Sequence, residues 1–302
     1  MFKVSDPKER RIALSQRLQK GPLIAAPGCG DALGARLIEN AGFGAVYISG
    51  FAVEAAYGQP DLGLLGMSEV ATRAAEIVRS VNLPVICDGD AGYGSIGNVI
   101  RTIQHFEQAG VSAIQLEDQA APKKCGAMQG KQLVSQAEMV ARIRAAVDTR
   151  NDPNLLIIAR TDAVPVEGFE AAMGRMSAYE EAGADVSMVL GPYGEEQLYT
   201  LVGASQRPFA FLNSEALTMP LLPIEELERI GVSMAIFPIS LLLTAVHAMQ
   251  ATLHEIRKTG TTLPLVDTSM ISFREFNKLI GQDVARGWDE RYNPAAFLTI
   301  RD

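Results

Sequence analysis

Eight short apolar runs, each followed by a longer stretch of helical period, recur along this chain of 302 residues. The runs are LIAAP (23–27), AVYIS (45–49), PVICD (84–88), AIQLED (113–118), LLIIART (155–161), VSMVL (186–190), FAFLN (209–213) and MAIFPI (234–239). They are rich in Val, Ile and Leu, as strands buried on both faces of a parallel sheet are. Between them lie segments such as SEVATRAAEIVRSV, IGNVIRTIQHFEQAG, QAEMVARIRAAV and FEAAMGRMSAYEEAG. Several of these end in Ala-Gly, a helix stop. Strand and helix alternating eight times predict an α/β fold, a (β/α)8 TIM barrel. A doubly wound open sheet is the competing topology. Barrels of roughly 250 residues fold as one unit. Residues 1–302 are therefore read as a single barrel domain, with a C-terminal helical extension from about 260 to 302 where the alternation stops.

Composition narrows the partners. Lys and Arg total 27 against 35 Asp and Glu, a net charge of −8. No basic stripe is present, so nucleic acid is not expected. The opening, MFKVSDPKERRIALSQRL, lacks the apolar core of a signal peptide. The longest apolar stretch, Met234 to Val246, is broken by Pro238 and Ser240 and is too short to span a bilayer. Cys29, Cys87 and Cys125 are an odd count at scattered spacings, which suits a reducing compartment. A cytoplasmic protein acting on a small molecule is the expectation.

A barrel does its chemistry at the C-terminal ends of its strands. Ser49, Asp88, Asp90, Glu117, Asp118, Arg160, Asp162 and Asn213 all fall there. Buried parallel strands seldom carry charge, so this convergence points to function. The run VICDGDAGYG places Asp88 and Asp90 two apart on a strand, where side chains share a face. Two carboxylates held together call for a cation or a shared proton. With Glu117 and Asp61 (in QPDLG) they form an all-oxygen set, which favours Mg²⁺ or Mn²⁺. The alternative is a structural network in which these acids pair with Arg160 and Lys123. His105, His247 and His254 fall in helical stretches and read as surface or packing residues.

Residues 117–131, EDQAAPKKCGAMQGK, form a long polar loop beside the expected mouth, a candidate lid. Cys125 lies in it after Lys123 and Lys124. Adjacent positive charge predicts a lowered thiol pKa and a reactive cysteine. Cys29 and Cys87 have packing positions instead.

Taken in order, YISG, PDLG, DGDAGYG, LEDQ with KKCG, IIARTDA and EAGAD resemble the isocitrate lyase/phosphoenolpyruvate mutase superfamily, especially its short carbon–carbon lyases such as the 2-methylisocitrate lyases. The resemblance runs from about residue 8 to about residue 260. It implies a barrel with the eighth helix exchanged between subunits, and a homotetramer built as a dimer of dimers. It also implies a Mg²⁺-dependent site for a 2-oxo or 2-hydroxy acid. By the same resemblance, Asp88 and Asp90 hold the metal, with Asp61 and Glu117 acting largely through water. The amides of Ser49, Gly50 and Phe51 hold a substrate carboxylate, and Lys123 and Gly126 are further substrate-binding residues. Arg160 binds substrate, Asn213 and Ser214 line a distal carboxylate pocket, and Cys125 donates a proton. Cys125, Arg160 and Glu117 are thus the expected catalytic residues.

Two positions depart from the pattern. Relatives that cleave 2-methylisocitrate or isocitrate carry a His after Cys-Gly, where this chain has Ala127. They also carry a Glu at the end of strand six, where it has Leu190. A tricarboxylic substrate would lose partners at both, and unpaired buried charge is costly. An alkyl-substituted malate fits better. The resemblance thus implies Mg²⁺-dependent cleavage of a 2- or 3-hydroxy acid to a 2-oxo acid and a second carboxylate, through an enolate-like species. Competing readings are oxaloacetate hydrolysis or decarboxylation, phosphonopyruvate-type phosphorus–carbon chemistry (which lacks the loop cysteine), and a non-catalytic binding protein with a decayed site.

Overall fold

A computed structural model describes residues 4–293, and the last part of the expected extension, 294–302, lies outside the described residues. All eight apolar runs form strands: β1 (Ile24–Cys29), β2 (Val46–Ile48), β3 (Val85–Asp88), β4 (Ala113–Glu117), β5 (Leu156–Thr161), β6 (Val186–Val189), β7 (Ala210–Leu212) and β8 (Met234–Phe237). They are parallel, in the order β6-β5-β4-β3-β2-β1-β8-β7. A parallel bridge between Ser187 and Phe209 joins β6 to β7, with the Ser187 N–H donating to the Pro208 carbonyl at 3.0 Å. The sheet therefore closes into a (β/α)8 barrel, and the open-sheet alternative is set aside.

Alternation sorts the strand residues. Val46, Ile48, Val85, Cys87, Ile114, Leu116, Ile157 and Ala159 pack with helix residues such as Val70, Ile77, Ile103 and Ile143. Tyr47, Ile86, Ala113, Leu156 and Ile158 belong to the other buried cluster. Because side chains alternate faces, the positions in step with Ile86, Ala113 and Ile158 are Asp88, Gln115, Glu117 and Arg160. The inward face is thus apolar along most of its height and ionic at its C-terminal end.

Local sequence sets the helix limits. The helix Ile96–Ala109 starts at Ser95, where Ser95 and Asn98 form a capping box, and stops at Gly110 with φ 89°. The helix Gln136–Thr149 starts at Ser135, whose hydroxyl accepts from the Glu138 N–H at 3.1 Å.

The chain comprises two compact units. Residues 5–242 hold all eight strands, and the other unit takes up the chain from Leu243. Most of the helix Ser240–Thr259 lies in this second unit, which continues through a 3₁₀ turn (Leu263–Leu265) to the helices Phe273–Leu279 and Gln282–Tyr292. The helix Ser240–Thr259 buries none of its 20 residues. Among the described residues no helix is long and apolar enough to cross a membrane.

Candidate active site

Glu117 and Arg160 are direct register partners on β4 and β5, and their side chains meet, Nη1 to Oε2, at 3.0 Å. Arg160 also donates from Nη2 to Asp162 Oδ1 at 3.1 Å, and its Nε lies 3.0 Å from Oδ2 of the same carboxylate. Asp88 accepts from Gln115 Nε2 at 3.1 Å, and Gln115 in turn accepts from the Tyr47 hydroxyl at 3.0 Å. Two of the barrel's inward polar side chains thus orient one carboxylate.

Asp90 reaches the same place by another route than the one expected. β3 ends at Asp88, and Asp90 sits in the following turn with φ 48°, a left-handed conformation unusual for a non-glycine residue. The turn folds the two acids together: the Asp90 N–H donates to Asp88 Oδ1 at 3.1 Å. A Cβ on Gly50 would lie 3.2 Å from Asp88 Oδ2 and 3.5 Å from Asp90 Oδ1, so a glycine there leaves space against both carboxylates.

Lys123 stands among these acids. Its ammonium bonds Asp61 Oδ1 and lies 2.6 Å from Asp90 Oδ1, an ion contact outside hydrogen-bond angles. Lys123 thus pairs with Asp61 and Asp90, and Arg160 with Glu117. Among the described residues, no group of three or more ligating side chains converges closely enough to hold a metal ion as it stands. The donor chemistry nevertheless fits a hard divalent cation. All the acids are oxygen donors, and Glu117 Oε1 is buried with no hydrogen-bond partner. Burial lifts the Asp90 carboxyl to about 7, against the pull of Lys123, and the neighbouring Asp88 charge adds to the rise. Burial also drives the Glu117 carboxyl well above its ordinary range, which Arg160 only partly offsets. Burial opposes the charge on Asp162 too, but Arg160 and Lys131 outweigh it and hold that carboxyl below its ordinary value.

Cys125 lies in the loop between β4 and the helix Gln136–Thr149. Its N–H donates to the Asp61 carbonyl at 3.1 Å. The expected lowering of its pKa is overturned. Burial pushes the thiol up to about 11, and the Asp61 carboxylate adds to that. The two lysines do not compensate: Lys123 is committed to Asp61 and Asp90, and Lys124 Nζ turns to the Gly130 carbonyl at 3.0 Å. A thiol held protonated is a proton donor rather than a nucleophile. Cys29 and Cys87 are buried, and burial raises both thiols as well.

Ser49 caps the helix Gly50–Ala56, its hydroxyl accepting from the Ala52 N–H at 3.3 Å. The N–H groups of Gly50 and Phe51 open that helix and have no partner within it. Asn213 is not a free contact. Its amide clamps the following loop, donating to the Leu222 carbonyl at 2.8 Å and accepting from the Leu222 N–H at 3.2 Å. The Ser214 hydroxyl accepts weakly from the Ala216 N–H at 3.4 Å. A Cβ on Gly126 would lie 2.4 Å from Leu190 Cδ2 and 2.5 Å from Arg160 Nη2, so the loop packs against the arginine as only glycine allows. Beyond Gly126 a cavity of about 630 Å³ is walled by Ala127, Val166, Pro192 and Leu217, with Lys131 as its cation. His105 sits on the helix Ile96–Ala109, and His247 and His254 on Ser240–Thr259, as expected.

The sequence did not reveal what supports this layer. Buried Asp118 accepts from Thr161 Oγ1 at 2.6 Å, from the Tyr179 hydroxyl at 2.8 Å, and from the Asp162 N–H at 2.9 Å. Arg175, on the helix Phe169–Glu181, lies 3.3 Å from the same carboxylate. Tyr179 and Arg175 come from a helix whose apolar period said nothing of their polar ends.

A barrel whose mouth gathers buried carboxylates, one arginine and a protonated thiol under a loop defines a class of enzyme. The family model for phosphoenolpyruvate phosphomutase matches residues 14–257, and the chain belongs to that family. Named relatives narrow the class. The chain is 41% identical to 2,3-dimethylmalate lyase of Eubacterium barkeri, over 92% of this chain and 96% of the relative. It is 38% identical to 2-methylisocitrate lyase of Aeropyrum pernix, over 93% and 90%. Like them it is a carbon–carbon lyase. Oxaloacetate acetylhydrolase solved with the inhibitor 3,3-difluorooxalacetate matches with a TM-score of 0.89 at 32% identity, covering 95% of this chain and 98% of that one. Phosphonopyruvate hydrolase solved with oxalate and Mg²⁺ matches at 0.85 and 30%, covering 95% and 99%.

Proposed function

We propose that this enzyme splits an alkyl-substituted malate into a 2-oxo acid and a second carboxylate, with a divalent cation at the barrel mouth. The observation that carries the reading is the cluster of buried acids Asp61, Asp88, Asp90 and Glu117, with Arg160 3.0 Å from Glu117 and the Cys125 N–H held to the Asp61 carbonyl at 3.1 Å. The residues that would hold the cation are Asp88 and Asp90, with Asp61 and Glu117 further out. Such an ion, when bound, supplies charge stabilisation for the oxygens of the 2-oxo acid. Mg²⁺ suits this oxygen set, with Mn²⁺ as its substitute.

The chain's own groups supply the rest. Arg160, held by Glu117 and Asp162, keeps one further N–H on each of Nη1 and Nη2 for a substrate carboxylate, a planar pair that lysine could not match. Glu117 Oε1, buried and without a partner, accepts the hydroxyl proton of the substrate. The carbon–carbon bond beside that hydroxyl then breaks, and its electron pair goes to the carbon next to the second carboxylate. Cys125 Sγ–H protonates that carbon. The loop excludes water from the carbanion: Asp61, Asp88, Asp90, Glu117 and Arg160 are all buried. Ala127 lines the cavity beyond Gly126 and Leu190 lies buried against the Gly126 backbone, so neither position offers a third carboxylate a polar partner.

A second reading, hydrolysis of oxaloacetate, draws support from the likeness to oxaloacetate acetylhydrolase and needs the same acids. Both readings are tested by one panel of hydroxy and oxo acids with Mg²⁺ and product identification. The expected result is turnover of 2,3-dialkyl malates, with pyruvate-type products, and weak activity on 2-methylisocitrate. Enzyme-like rates on 2-methylisocitrate would contradict the substrate reading, and oxalate release from oxaloacetate would favour the second.

We also propose a homotetramer, a second copy covering the helix Ser240–Thr259. That helix leaves Leu243, Met249, Leu253 and Ile256 exposed, as a partner-facing helix does. Light scattering is expected to give four times the 32.4 kDa chain mass. A monomer at micromolar concentration would refute it.

A further inference from the structure

The loop over the mouth is a short ribbon at its base, where Gln119 bridges Leu133 and the Ala120 N–H donates to the Gln132 carbonyl at 2.8 Å. Two lysines tie the rest of it down, in different ways. Lys123 contacts Asp61 and Asp90, acids assigned above to a divalent ion, so a metal can replace that tie. Lys131 touches none of the four. Its Nζ donates to the Gly126 carbonyl at 2.6 Å and to Asp162 Oδ1 at 2.8 Å. Both side chains of the pair are almost sealed from water, 4% and 0% exposed.

The same Asp162 carboxylate holds the Arg160 guanidinium, and the Asp162 N–H is fixed by Asp118. One carboxylate therefore sets two positions at once: that of the guanidinium, and, through Lys131, that of the peptide carbonyl next to Cys125. Gly126 adds a steric check, since its backbone packs against Arg160 Nη2 and Leu190 Cδ2. A buried ion pair contributes little net stability compared with an apolar pair of the same shape, and its well-attested use is to fix register.

We propose that Lys131 and Asp162 are positioning residues, a latch that closes the Cys125 loop in register with Arg160 and persists when a metal replaces Lys123. The proposal rests on the roles given to Cys125 and Arg160 above, but loop closure can be read without turnover. The test uses the full chain, free of metal, and follows carbamidomethylation of each cysteine by iodoacetamide with peptide mass spectrometry. In Lys131→Met, Cys125 is expected to label about tenfold faster or more, because the covered state loses its tie. Cys29 and Cys87 stay protected and report an intact barrel. Lys131→Arg, which restores the charge, is expected to return labelling to within about threefold of wild type. On the acid that wild type turns over best, Lys131→Met is expected to lower kcat more than it changes KM. Wild-type labelling in Lys131→Met with Cys29 and Cys87 protected, or no recovery in Lys131→Arg, would overturn the latch. Should Lys131→Met fail to fold, Asp162→Asn carries the same expectations. Faster Cys125 labelling in Lys131→Met, in a preparation whose wild type turns over no acid of the panel, would support the latch and overturn the proposed substrate reading.

Discussion

Replacing Cys125 by serine is expected to lower turnover by about 10²–10⁴-fold, the range of a lost general acid, while the fold and the inhibition constant of oxalate, used as a probe because it has the shape of a 2-oxo acid enolate, stay near wild type. The reason is acidity rather than shape. Serine keeps the donor in the same turn, where the Met128 N–H donates to the carbonyl of residue 125 at 2.8 Å. Its hydroxyl is a far weaker acid than a thiol, even one that burial holds at about 11. The carbanion then has no adequate proton source inside the covered site. Steady-state kinetics with oxalate inhibition separates the two effects: kcat falls and the oxalate inhibition constant holds. An oxalate constant that weakens in parallel with kcat would assign Cys125 to binding.

Arg160→Met is expected to remove detectable turnover and to cost stability, about 3–5 kcal/mol as for breaking a buried pair by deleting one partner. Two carboxylates, Glu117 and Asp162, lose the guanidinium together. The pH dependence follows from their directions. In the wild type Asp162 lies below its ordinary value of 3.8, so its contribution is present above about pH 4 and lost as pH falls through the lowered value. Glu117 lies above its ordinary value, and without Arg160 it rises further, so protonation relieves the variant. The deficit of Arg160→Met relative to wild type should therefore be larger at pH 8 than at pH 5, read by chemical denaturation at both. Equal deficits at the two values would show that the guanidinium acts by packing alone.

The barrel was legible because its strands are local. Each run from LIAAP to MAIFPI is five to seven residues long and mostly apolar, as strands buried on two faces are. The inward acids were legible for a related reason, since charge on such strands is conspicuous. What failed depended on three-dimensional pairing. The spacing of Asp88 and Asp90 predicted a shared strand face, but convergence came from a left-handed turn at Asp90. Lys123 and Lys124 looked like an electropositive setting for Cys125, but one ammonium is neutralised by Asp61 and Asp90 across the mouth. The clamp that the Asn213 amide makes on Leu222, nine residues on, left no trace in the sequence pattern. Lys131 carried no pattern at all, because the carboxylate that gives it meaning lies 31 residues away, just past the end of β5.

The central claim is that the acids at the mouth hold a divalent cation in place of the Lys123 ammonium. Electron paramagnetic resonance of Mn²⁺ titrated into the metal-free protein with oxalate measures this directly. One bound Mn²⁺ per chain is the predicted result, abolished in Asp88→Asn and Asp90→Asn and unaffected by Cys125→Ser. A spectrum of free Mn²⁺ throughout the titration, with Asp61 and Asp90 still paired to Lys123, would contradict it.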